Sequence, residues 1–117
     1  MKEKIVQNKS KKFAVKIIEL YKCLFNDKKE TVMSRQILKS GTSIGANIAE
    51  SDYAASKADF INKSQIAIKE CSETKYWLDL LFETNYIDST VYNDISSECL
   101  SILRLLTTII NSAKENN

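Results

Sequence analysis

The chain has no histidine and no proline, and only two glycines. It also has no apolar run approaching the roughly 20 residues that a membrane span needs. Without histidine there is no Ser/His or Cys/His nucleophile, no Glu-x-x-His di-iron signature, and no common zinc site other than an all-cysteine one. Cys23, Cys71 and Cys99 lie far apart with no CxxC or similar ligand spacing, each among apolar neighbours. They read as buried reduced thiols, and neither a metal nor another cofactor is expected. The basic opening MKEKIVQNKSKK leads into no apolar stretch. No signal peptide and no membrane partner are therefore expected, and the expected compartment is the cytoplasm.

What is present is the material of one soluble domain over residues 1–117, with 44% hydrophobic and 27% charged residues. A chain of that size buries roughly two-thirds of the surface its unfolded form exposes. The net charge of +2 hides an asymmetry: residues 1–39 carry 11 Lys and Arg against 4 Asp and Glu, and residues 40–117 carry 6 against 11. A segregated basic surface attracts polyanions, and a lysine-rich solvated helix is the plainer reading of the same pattern.

Apolar residues recur at three-and-four spacing, which lines one face of a helix. Phe13, Ile17, Leu20, Tyr21 and Leu24 predict a first helix over about 10–25, and Ile37, Gly41, Ile44, Gly45 and Ile48 a second over about 33–53. Ser56-Lys57-Ala58-Asp59 has the form of a capping box. It opens a third helix over about 57–84, with Phe60, Ser64, Ala67, Ile68, Cys71, Leu78 and Phe82 inward. Asp88 or Ser89 caps a fourth over about 89–114, carrying Tyr92, Ile95, Cys99, Leu103, Leu106 and Ile110. No alternating strand pattern competes, so the expected fold is all-α, an up-down antiparallel four-helix bundle.

Both glycines fall in the stretch SGTSIGANIAES, at residues 40–51. Gly41, Gly45 and Ala49 form a smooth strip at i, i+4 and i+8, and each glycine costs about 1 kcal/mol of helix propensity relative to alanine. Close approach of another helix would offset that cost, and a local kink is the other reading. Beside the strip, Gln36, Ser40, Ser43, Asn47 and Glu50 make a polar stripe, either solvated or forming a hydrogen-bonded seam between helices. Two helices are more apolar than a lone bundle needs. Leu100, Leu105 and Ile109 widen the stripe of the fourth, and Ile66, Trp77 and Leu81 make a second stripe on the third. A helix apolar nearly all round must be covered on several sides, which predicts association between copies of the chain.

Two segments, SGTSIGANIAES and DFINKSQIAIKECSETKYWLDLL at residues 59–81, resemble the four-helix bundle proteins encoded in intervening sequences of large-subunit ribosomal RNA genes. That family is in turn similar to the accessory variability protein of diversity-generating retroelements. The resemblance runs from about Phe13 to Ile110. Family members usually continue the first motif with glycine where this chain has Ser51, so the turn after the second helix is expected to be built differently. The resemblance implies an antiparallel bundle that assembles as a ring, typically a homopentamer, without catalytic activity. It further implies, from the retroelement relatives, nucleic-acid binding by a basic exterior.

Three functions compete. The first is a non-enzymatic oligomeric adaptor that touches RNA or DNA through Lys9, Lys12 and Lys16 on one face of the first helix and Arg35 and Lys39 on the outer face of the second. Such contacts reach phosphates without reading sequence, because no aromatic residue is interleaved to stack on bases. The second is a scaffold for a protein partner, with the lysines serving solubility. The third is an enzyme built on the Glu70/Glu73 pair, which Lys69 and Lys75 flank and no histidine completes. Lys75 itself sits at the edge of the apolar stripe, where such a lysine lays its stem over the core.

Overall fold

The computed structural model describes residues 1–116. Four α-helices follow one another: α1 (Lys2–Lys22), α2 (Met33–Ser51), α3 (Lys57–Glu83) and α4 (Ser89–Glu115), with a wider turn at Cys23–Asp27 closing α1. No strand occurs among the described residues. The principal contacts run α1–α2, α2–α3, α3–α4 and α1–α4, so each helix touches two neighbours, the arrangement of a four-helix bundle. Its extents are 49 × 22 × 19 Å.

The first helix begins eight residues earlier than its apolar stripe suggests. Val6 and Ser10, each 2% exposed, continue the inward line of Phe13, Ile17 and Leu20 toward the N-terminus. Ser10 masks that continuity because it is polar, and it satisfies itself by donating its hydroxyl to the Gln7 carbonyl at 3.0 Å. At the far end the amide of Lys28 bonds back to the Cys23 carbonyl at 3.1 Å. Lys29 then turns the chain through a left-handed conformation at φ 58°. Glu30 follows, buried, and its carboxylate accepts from the amides of Ser34 at 2.7 Å and Val32 at 3.3 Å. It caps the N-terminus of α2, where the capping position itself, Val32, has no side-chain oxygen to offer.

The α2–α3 turn needs no glycine. Ser51 ends α2 with its hydroxyl donated to the Ile48 carbonyl, and Asp52 stays right-handed at φ −63°. Ser56 caps α3 by accepting from the Asp59 amide at 3.1 Å, while the Asp59 carboxylate reaches back to the amide of Ala55, one residue beyond the usual capping-box partner. Asp88 caps α4 by accepting from the Val91 amide at 2.9 Å.

One core fills the bundle, built on Phe13, Ile17, Leu24, Ile37, Ile44, Leu78, Leu81, Ile102 and Leu106. Three expectations change here. Leu81, assigned from sequence to an outer assembly stripe with Ile66 and Trp77, is 0% exposed and belongs to this core, one turn beyond Leu78. Ile66 and Trp77 are half-buried. Phe82, expected inward, lies 37% exposed and stacks on Tyr92 with ring centroids 4.6 Å apart. Cys23 is exposed at the closing turn of α1, so only Cys71 and Cys99 are buried thiols.

Candidate nucleic-acid interface

The glycine strip turns α2 toward α1. A Cβ on Gly41 would stand 2.8 Å from Cγ1 and Cγ2 of Ile17, and one on Gly45 would stand 3.4 Å from the backbone oxygen of Ser10. Ala49, the third member of the strip, is exposed beside the α1–α2 groove. The opposite flank of α2 carries the polar stripe, and two of its members bridge to α3. Ser40 accepts a buried 2.9 Å hydrogen bond from Thr74, and Glu50 accepts from Lys63 at 3.0 Å, which raises the pKa of that ammonium above the ordinary lysine value. Asn47 and Ser43 instead bond carbonyls of their own helix, at Ser43 and Lys39.

These contacts fix the directions in which the basic residues point. Ile17 and Ser10 face α2, while Lys16 reaches the other way and pairs across to α4, with Asp94 Oδ2 at 3.0 Å and with Glu98. Hydrogen bonds from Lys16 to Glu98 and then Asp94 raise its pKa above the usual lysine value. Lys12 and Lys9 follow on the same flank of α1, one and two turns earlier, and both are exposed. Arg35 and Lys39 are exposed on the outer side of α2, away from Ile37, with the Arg35 guanidinium 5.3 Å from the centroid of Phe25. The five candidates thus make two groups on the perimeter, and Lys16 is already engaged by carboxylates. Its engagement was not legible in sequence, because Asp94 lies 78 residues away.

A second surface feature lies on the far side of the bundle. α3 and α4 border a groove of about 760 Å³ whose lining includes Lys75, Tyr76, Asp79, Tyr92, Ser96, Leu100 and Leu103. Lys75 donates to Asp79 Oδ1 at 2.6 Å and to the Tyr92 hydroxyl at 2.8 Å, and Tyr92 donates to Asp79 at 2.6 Å. Burial opposes the charge on Asp79, but the hydrogen bonds from Lys75 and Tyr92 outweigh it and hold the carboxyl below its usual value. Sequence reasoning placed Lys75 over the core edge; its partners lie four residues along α3 and across on α4. Among the described residues no group of three or more His, Cys, Asp or Glu could hold a metal ion, and no helix is long and apolar enough to cross a membrane.

Known proteins sharpen this picture. Residues 2–108 match the family described as 23S rRNA-intervening sequence protein. The chain belongs to that family. A solved structure from Bacteroides thetaiotaomicron, of a protein of unknown function from the S23 ribosomal protein family, is similar to this chain at 55% identity. The two superpose with a TM-score of 0.94 over 95% of this chain and 99% of the other. No curated protein matches the chain. The family therefore accounts for the four helices, and leaves the use of the basic and grooved surfaces to be argued from the side chains.

Proposed function

We propose that the protein is a non-enzymatic, oligomeric adaptor of the cytoplasm that anchors RNA or DNA through phosphate contacts from Lys9, Lys12, Arg35 and Lys39. One observation carries this reading. The side chains of Lys9, Lys12 and Lys39 are exposed with no ion-pair partner among the described residues, in the part of the chain where cations outnumber acids 11 to 4. Lys16 is set apart, since its charge is spent on Asp94 and Glu98. A ring of copies, five by family resemblance, repeats the two basic groups around its perimeter and converts weak single contacts into avidity.

The test is binding of mixed-sequence RNA and DNA at several salt concentrations. Each phosphate contact contributes roughly one unit of slope in log affinity against log salt. The Lys9→Ala/Lys12→Ala/Lys39→Ala variant should bind more weakly with a flatter slope, while Lys16→Ala should change the slope less. Binding and slope unchanged in the triple variant overturn the reading. Light scattering checks assembly separately: a mass of 13.3 kDa, that of one chain, at micromolar concentration removes the oligomer.

A second reading, a scaffold for a protein partner, is favoured by the α3–α4 groove and by exposed Tyr76 and Leu100 on its rim. Docking there would be apolar and nearly insensitive to salt, which separates it from phosphate binding.

A further inference from the structure

The buried cysteines meet at the floor of the α3–α4 groove. Cys71 and Cys99 are 1% and 3% exposed and come from adjacent helices. The Cys99 thiol donates to the Cys71 carbonyl at 3.4 Å. Both residues line the groove, under a thin cover of side chains. No function considered above uses this pair.

We infer that Cys71 and Cys99 form a redox-active dithiol, oxidised by peroxide to a disulfide that ties α3 to α4. The contact of the Cys99 sulfur with the backbone of Cys71 brings the two residues together across the helix pair, and Lys75, which lines the same groove, supplies a cation that favours a thiolate there. One cysteine, as thiolate, attacks hydrogen peroxide: an S–O bond forms, the O–O bond breaks, and the departing hydroxide takes up a proton to leave as water. The other thiol then attacks the sulfenic sulfur: an S–S bond forms, the S–O bond breaks, and a second water leaves with that thiol's proton. The two sulfurs lose two electrons and the peroxide oxygens gain them. A dithiol reductant reverses the bridge.

The test uses the full chain carrying Cys23→Ser, which removes the exposed third thiol without touching the core. After hydrogen peroxide, the expected product is lighter by about 2 Da per chain, resists alkylation when unfolded, and regains two thiols on reduction. An unchanged mass with both thiols alkylated, or uptake of oxygen without loss of two hydrogens, overturns the inference. The sulfenic intermediate is trapped with a 1,3-dione. With Cys71→Ser or Cys99→Ser added, the remaining cysteine should be captured in the variant that keeps the attacking thiol, and capture in neither variant overturns the inference. Lys75→Met should slow peroxide consumption severalfold and move its pH profile upward, and an unchanged profile removes Lys75 from the site. Should either serine variant fail to fold, the mass measurement on the Cys23→Ser chain still decides whether the bridge forms.

Discussion

Gly41 faces Ile17 with no room for a methyl group between them: a Cβ there would stand 2.8 Å from both γ-carbons of a fully buried, β-branched side chain. Ile17 has few other rotamers on a helix, so the clash is resolved only by moving α1 away from α2. Gly41→Ala should therefore destabilise the fold by about 1–3 kcal/mol, read as a lower midpoint of urea unfolding.

Gly45 gives the contrasting case. Its added Cβ meets Ser10 at 3.4 Å, an ordinary contact, beside the α1–α2 groove. Gly45→Ala should be neutral or stabilising by up to about 1 kcal/mol through helix propensity. Gly45→Leu, whose branch must push past the backbone of Ser10, should destabilise by several times RT, about 2 kcal/mol or more. Thermal melts of the three variants side by side check the order.

The Ser40–Thr74 hydrogen bond is buried between α2 and α3, so removing one partner leaves the other without its neighbour. Thr74→Val should cost about 1–3 kcal/mol. The double variant Ser40→Ala/Thr74→Val should cost less than the sum of the single changes, and a double-mutant cycle showing strict additivity would refute the coupling.

Asp79 supplies a pH dependence. Its folded pKa lies below the ordinary value of 3.8, so its contribution is present in full above that value and is lost as the pH falls through the lower folded pKa. Acid titration of stability should show a decline in this window that Asp79→Asn removes. The amplitude should be small because the carboxylate remains partly exposed.

At the start of α4, Asp88→Ala should cost about 1 kcal/mol by withdrawing the acceptor for the Val91 amide. Amide exchange confined to the first turn of α4 would report it.

Much of this fold was legible because its signals are local. The stripes of α2, α3 and α4 and the caps at Ser56 and Asp88 each lie within a few residues of the structure they specify. The early start of α1 was hidden by Ser10, a polar residue kept small where α2 crosses. Leu81 was misplaced because a helix in a bundle buries two flanks as well as a front, and periodicity alone does not say where the neighbouring helix ends its cover. The site suffered more. Lys16 reads as one of three equivalent lysines until Asp94 and Glu98 are brought across from α4, and the meeting of Cys71 with Cys99 depends on the same kind of long-range juxtaposition.

The α1–α4 seam sets an order of assembly. During synthesis α1, α2 and α3 emerge in turn and each finds its partner next to it in the chain. The cover over Phe13, Cys71 and Leu78 that Ile95, Cys99, Ile102 and Leu106 provide arrives only with the last quarter of the polypeptide. Until then three helices hold an open apolar trough, and Lys16 carries an uncompensated charge at its edge. A chain interrupted before Ser89 would be a sticky, cationic three-helix remnant, so the nascent form of this protein should depend on shielding that the finished form does not.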